Sequence, residues 1–379
     1  MLCYLDNSAT TQPRPDVIAA MGTAMADGFY NPAALYAPGL QADQRMDAAR
    51  AALLSHLCTG TVVFTSGGTE ANNLALLGHL YTRRGQGRVL YSAGEHPSVL
   101  EACRYAANLG YEPVEIPLLS DGCVDLEAFA ALATEATVLI AVMQVNNETG
   151  SIQPIDEIIR IRNLQCPEAL LHVDGVQGFL RVPLRVSAEG VNTYALSGHK
   201  LHGPKGIGAL VLAPGVRILP ISYGGGQENN LRHGTPNTPG IAGLYQAVSG
   251  YPVQHDMRAL KLLLYERLRA DIPDLVINGP QPDSPQACDH ILNVSFPPVL
   301  SETMLHALEG DQVYVGLGSA CSSRKNTISH VLRAMGAEAK ATACAIRFSL
   351  SPMTTKDEVL FAAERCAQHY RTLKRFVRR

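Results

Sequence analysis

Ser197-Gly198-His199-Lys200 puts a lysine behind a histidine at the end of an apolar segment, and Leu201-His202-Gly203-Pro204-Lys205-Gly206 continues it as a Gly/Pro-rich loop. A lysine needed only for solubility has no use for that setting. An amine that holds a carbonyl compound as a Schiff base does, because it must shed its proton, and a site that disfavours the ammonium form lets it do so. Such a site also needs an acid, an anion cradle and a ring to stack on the bound group.

Asp174 closes the apolar run Leu170-Leu171-His172-Val173, and a carboxylate there needs a cationic partner. A pyridinium nitrogen is one such partner; a helix N-cap or a structural ion pair is the other reading. Ser66-Gly67-Gly68-Thr69-Glu70 joins a strand-like run to a helix expected over Ala71 to Leu80. Free N–H groups and the dipole at that start favour an anion such as a phosphate, and the alternative is an ordinary cap supplied by Thr69. His96, just before Pro97, can stack on a cofactor and act as acid or base near neutral pH, or be structural. Gln177 and Asn147 are amides that could hydrogen-bond a phenolic oxygen or be structural, and His199 and Ser197, beside the lysine, could help bind a phosphate or be structural. The group that uses an amine, an acid, an anion cradle and a stacking ring together is pyridoxal 5'-phosphate, whose protonated ring is an electron sink.

Two further residues stand out. Cys321, in Gly318-Ser319-Ala320-Cys321-Ser322-Ser323-Arg324-Lys325-Asn326, lies among serines and cations that favour a thiolate, unless it is an incidental exposed thiol. Arg347, inside the strand-like run Ile346-Arg347-Phe348-Ser349, wants a carboxylate, either a substrate's or an internal one.

The elements that must position these groups follow from apolar patterning. Thr61 to Thr65, Arg88 to Ser92, Thr137 to Met143, Leu170 to Asp174 and Thr193 to Leu196 read as buried strands with helices between them. Near-continuous β-branched runs of this kind indicate an α/β fold with a mainly parallel sheet covered on both faces. Gly208 to Leu212 follows the lysine loop so closely that it is expected to run antiparallel. In such sheets ligands bind beyond the carboxyl ends of the strands, which is where the polar candidates fall. From about residue 250 the pattern changes to a charged helix (His255 to Ala270), the runs Asn293 to Phe296 and Ile346 to Leu350, and a helix between them, a smaller α+β unit that the first dozen residues join.

Bulk composition excludes several function classes. The chain has 379 residues and a formal net charge of −3, with no basic block to meet nucleic acid. No run approaches the ~18 apolar residues of a membrane span, and Met1 to Asp6 lacks the regions of a signal peptide, so a cytoplasmic location is expected. The nine cysteines include no CxxC pair, which argues against a zinc site or a disulfide framework and for mostly buried thiols in a reducing compartment.

Taken together, the residues resemble the NifS/IscS-like cysteine desulfurases of the class V aminotransferase group, nearly end to end. The motifs that carry the resemblance run in family order: Tyr4 to Thr11, Phe64 to Asn73, Glu95-His96, Val145 to Gly150, and His172 to Asp174 with Gln177. Ser197 to Lys200, Gly224 to Glu228 with Arg232 to Thr235, Gly318 to Cys321, and Arg347 to Ser349 complete the series. The resemblance implies a fold-type I PLP-dependent transferase. Its large α/β domain (residues 15–250) would hold a mostly parallel seven-stranded sheet flanked by helices. Its small α+β domain (residues 1–14 and 251–379) would carry the Cys321 loop.

The resemblance also implies roles. Lys200 would form the Schiff base, Asp174 would pair with the pyridine nitrogen, His96 would stack on the ring, and Asn147 and Gln177 would contact it. Gly68, Thr69, Ser197 and His199 would hold the phosphate, with Thr235 reaching the phosphate of a neighbouring subunit in a homodimer with shared active sites. Arg347, helped by Asn147, would bind the carboxylate of L-cysteine, and Cys321 would take its sulfur as a persulfide and leave alanine. The persulfide would pass to an acceptor protein, an iron–sulfur scaffold or a rhodanese-type enzyme of tRNA or cofactor thiolation.

Departures from the family pattern are Tyr36, where a histidine is usual, and Arg324-Lys325-Asn326, where small and acidic residues are usual; the second bears on partner choice. The chain also ends at Arg379 without the C-terminal extension of the housekeeping iron–sulfur enzymes, which keeps a dedicated thiolation route open. The competing readings are another class V enzyme, such as an aminotransferase or a selenocysteine lyase, and a non-catalytic sulfur carrier. Cys321 in its Gly-Ser-Ala-Cys setting argues against an aminotransferase, and Lys200 argues against a degenerate relative.

Overall fold

In a computed structural model of the protein, the described residues form twelve strands arranged in three sheets. The structure describes all residues except 84, 253–255, 318–328 and 377–379. Cys321 and the first residue of the helix expected from His255 therefore lie outside the described residues.

The strands in chain order are β1 (Cys3–Tyr4), β2 (Thr61–Thr65), β3 (Arg88–Ser92), β4 (Glu112–Ile116), β5 (Thr137–Met143) and β6 (Leu170–Asp174). They continue as β7 (Thr193–Ser197), β8 (Gly208–Leu212), β9 (Val276–Ile277), β10 (Ile291–Ser295), β11 (Val313–Tyr314) and β12 (Ala345–Ser349). Seven of them form the main sheet in the order β2-β8-β7-β6-β5-β3-β4. Strands β7, β6, β5, β3 and β4 are parallel, and β8 runs antiparallel to both of its neighbours. The short Pro204-Lys205-Gly206 return explains β8: so short a link joins antiparallel strands, whereas a parallel neighbour needs a crossover of a dozen residues or more.

Both faces of this sheet are covered. On β5, Ile140 and Val142 pack with Leu171, Val173 and Phe129 on one side, and Leu139 and Ala141 pack with Leu76, Val89 and Cys103 on the other. That period-2 alternation of apolar residues on opposite faces is the pleat of a doubly covered sheet. Of the described cysteines, all but Cys58 are buried and none is paired, so they serve as small apolar side chains.

A second core gathers around β10 and β12, which pair antiparallel. It contains Leu292, Phe296, Ile346 and Phe348, the helix Met257–Asp271 through Leu264 and Leu268, and the helix Lys356–Leu373 through Val359 and Cys366. Cys3 and Leu5 from the start of the chain are fully buried in the same core. Strand β1 pairs parallel to β11, and Asp6 bridges to Ser349, so the N-terminal residues are laid against segments that come last in the chain. No helix of the described residues is long and apolar enough to cross a membrane.

The burial of Leu5 gives a direct test. Leu5→Ala should lower the free energy of unfolding by about 2–5 kcal/mol, the usual cost of truncating a buried leucine. Urea denaturation of the apoprotein would measure it, and a loss below about 0.5 kcal/mol, the scale of a surface change, would mean that the N-terminal segment does not dock.

Candidate active site

A cavity of about 280 Å³ lies at the carboxyl ends of the central strands. Met143 ends β5, Asp174 ends β6 and Ser197 ends β7, and all three line it. Of the residues singled out in the sequence, Gly68, Thr69, His96, Asn147, Asp174, Gln177, Ser197, His199, Lys200 and Arg347 share this one cavity. Thr235 does not; it is exposed and absent from the lining.

Lys200 closes the 3₁₀ turn Gly198–Lys200 that follows β7. Its Nζ donates to the carbonyl oxygens of Ser8 and, at 2.8 Å, of Ala9. Burial, and then the positive charge of Arg347, brings its pKa down to about 8 from the ordinary 10.5. The amine thus holds its proton more loosely than an ordinary lysine.

Asp174 is buried at the end of β6. Its Oδ2 accepts from Asn72 Nδ2 at 2.7 Å, and its Oδ1 accepts from the Val176 N–H at 3.0 Å. Among the described residues no cation pairs with this carboxylate directly. The partners it has are neutral donors, and it faces the cavity with Lys200.

The helix Gly68–Leu80 begins one turn earlier than the sequence pattern indicated, and its N-cap is Gly67 rather than Thr69. No side chain caps it, so the first-turn N–H groups are open toward the cavity side where Thr69 and Ser197 lie. Glycine is required here: a Cβ on Gly68 would come within 2.7 Å of Val176 Cγ2, and one on Gly208 of β8 within 2.7 Å of the Gly67 backbone. The turn is therefore packed against the sheet through its own main chain.

His96 caps the helix Pro97–Tyr105, its Nδ1 accepting from the Ser98 N–H at 3.2 Å. Burial lowers its pKa, opposed by the Asp174 charge and reinforced by Lys200 and His330. His199 is held by Thr10 Oγ1 at 3.1 Å, and burial, then the charges of Lys200 and Lys205, brings its pKa to about 4. Both rings are thus neutral at pH 7.

Arg347, on β12, answers the question its sequence left open. Its Nη2 donates to Asp6 Oδ1 at 2.6 Å and its Nη1 to the Asn147 carbonyl at 2.9 Å, so an internal carboxylate is its partner. The buried Nε has no partner among the described residues. A guanidinium carries five N–H donors, so further donors remain for a ligand in the cavity. Gln177 is also partly engaged, donating to the Ser8 carbonyl at 3.0 Å and facing His290 at 3.3 Å.

Sequence reasoning missed several lining residues. Ser8 and Ala9 act through main-chain carbonyls, which no side-chain pattern reveals, and Asn72 and Ser98 sit inside or at the start of helices where amides and hydroxyls usually signal solvent. Just past residues 318–328, Ser329 Oγ donates to Glu148 Oε2 at 2.5 Å, and His330 Nε2 lies 3.0 Å from the Glu95 carbonyl. Glu148 and Glu95 adjoin the lining residues Asn147 and His96, so the chain that follows Cys321 is tied next to the cavity.

The sequence model of the aminotransferase class-V family matches residues 3–361. A cysteine desulfurase of Nostoc sp. (strain PCC 7120) is 37% identical over 365 residues, 94% of this chain and 90% of the relative. The cysteine desulfurase IscS of Dictyoglomus turgidum is 34% identical over 381 residues, 98% of this chain and 95% of the relative. Among solved structures, a NifS-like protein superposes with a TM-score of 0.90 at 32% identity, covering 98% of this chain and 100% of that one.

The pKa of Lys200 has a measurable consequence. Below its pKa the amine is protonated and inert toward carbonyls, so the rate of imine formation between apoprotein and pyridoxal 5'-phosphate should rise from pH 6, reach half its limit near pH 8 and level off above. Stopped-flow absorbance would follow it. A rate still climbing through pH 10, as for an ordinary lysine, would contradict the assignment.

Proposed function

The chain belongs to the aminotransferase class-V family and within it to the NifS/IscS-like cysteine desulfurases, and on that premise we propose that its cavity holds pyridoxal 5'-phosphate on Lys200 while Cys321 takes the sulfur of L-cysteine. The observation that carries this reading is a weakly basic buried amine sharing one cavity with a strand-end carboxylate, a neutral histidine and an uncapped helix start.

The donor set fits the group. Asp174 offers a carboxylate to a pyridinium nitrogen. The open N–H groups at Gly68 and Thr69, with Ser197 and His199, suit a phosphate. Ser8 Oγ is buried without a partner among the described residues, a hydroxyl available to a ligand. Thr235, exposed and apart from this cavity, is free to serve a second copy of the chain, which supports a homodimer with shared sites.

Pyridoxal phosphate, when bound, supplies an electron sink next to the substrate's Cα. The protein supplies the rest. Arg347 and Asn147 orient the substrate carboxylate. Lys200 Nζ, unprotonated, takes the Cα proton. The Cys321 thiolate attacks the substrate sulfur: an S–S bond forms and the Cβ–S bond breaks. Its electron pair stays with the carbon fragment, which is protonated and leaves as L-alanine. The persulfide on Cys321 then passes to an acceptor protein, an iron–sulfur scaffold or a rhodanese-type thiolation enzyme.

Incubation with L-cysteine should give L-alanine and protein-bound persulfide in equal amounts in a single turnover, quantified by chromatography and by thiol alkylation with mass spectrometry. Cys321→Ser should form neither above background. Alanine without persulfide, or full activity in Cys321→Ser, would overturn the mechanism. Arg347→Lys should raise KM for L-cysteine about tenfold to a hundredfold, the loss of charge-assisted hydrogen bonds, with kcat changed less.

A further inference from the structure

Asn72, in the helix Gly68–Leu80, is 1% exposed and makes three hydrogen bonds that join groups the reaction needs. Its Nδ2 donates to Asp174 Oδ2 at 2.7 Å and to Ser98 Oγ at 2.9 Å, and its Oδ1 lies 3.0 Å from His172 Nε2. The orientation of the amide is forced: a carboxylate can only accept, so the NH₂ group faces Asp174 and the carbonyl faces His172. His172 must then donate from Nε2, which leaves its Nδ1 to accept from Thr193 Oγ1 at 2.9 Å. A neutral imidazole satisfies both, and burial keeps the His172 pKa near 3.

The same logic runs outward to His96. Ser98 Oγ accepts from Asn72, so its single proton is available to His96 Nδ1, 2.8 Å away. The Ser98 N–H donates to the same nitrogen. Two donors converge on Nδ1, which is therefore a lone pair, and the ring proton resides on Nε2, which has no hydrogen-bond partner among the described residues.

We propose that Asn72 is a positioning residue that locks Asp174 and His96 together, aiming the carboxylate and holding His96 as the Nε2–H tautomer, a hydrogen-bond donor to whatever occupies the cavity. The role of Asp174 toward a pyridinium rests on the reading above, but the tautomer of His96 does not, and the two are measured separately.

The test is ¹⁵N-histidine NMR on the full-length protein, without and with pyridoxal 5'-phosphate, together with the cofactor's dissociation constant by absorbance titration. The wild type should show His96 as a single Nε2–H tautomer even without cofactor. Asn72→Ala should give a mixture of tautomers and a dissociation constant raised about tenfold to a hundredfold, the loss of a hydrogen bond to a charged group. Ser98→Ala, which removes the hydroxyl between Asn72 and His96 but spares the Asn72–Asp174 bond, should disturb the tautomer and leave the dissociation constant within about twofold. A Nδ1–H or mixed ring in the wild type would overturn the proposal, whether or not Asn72→Ala folds. So would wild-type tautomer and affinity in Asn72→Ala, or an affinity loss in Ser98→Ala equal to that in Asn72→Ala. Failure of the wild type to bind the cofactor, with the tautomer as stated, would count against the functional reading alone.

Discussion

A carboxylate buried at the end of an apolar strand must find donors, and the pocket is organised by how Asp174 finds them. Asn72 reaches it from one helix and the Val176 N–H from the turn after β6. Those donors bring Ser98 and His172 with them, so the carboxylate, His96 and the helix that opens at Gly68 become one hydrogen-bonded unit. Glu95, the residue before His96, is also a buried acid. Burial, then the charge of Asp174, pushes its carboxyl well above the usual range.

The cations obey the same electrostatics. Lys200 and Arg347 line one cavity, and the charge of the arginine makes that of the lysine harder to hold. Asp6 offsets part of this effect, paired to Arg347 at 2.6 Å and lying between the start of the chain and β12.

Much of this was legible in the sequence where a residue's type conflicts with its surroundings. Lys200, Asp174 and Arg347 are charges set in apolar runs, and each lines the cavity. The central strands were legible for the same physical reason in reverse, since β5 is buried at every position and reads as one apolar stretch. Strand β4 was not, because Glu112, Pro113 and Glu115 make it look like a loop; it is the half-exposed edge of the sheet, where proline and charge are tolerated. The partners of Lys200 were invisible because peptide carbonyls belong to every residue alike. The internal pairing of Arg347 with Asp6 was invisible because the two are brought together only by the folding of opposite ends of the chain.

That last contact has a bearing on how the molecule is made. Ser8 and Ala9 accept from the Lys200 amine, yet Ser8 is held in turn by Ser349, whose Oγ accepts from the Ser8 N–H at 2.8 Å, and nearby Leu5 by the Tyr314 carbonyl at 2.8 Å. Translation makes Leu5 to Ala9 long before Tyr314 and Ser349, so this segment lacks those partners until they have emerged. A nascent chain has the lysine long before it has the walls that set its basicity, and a release that comes early, by truncation or stalling, leaves the amine without its grip.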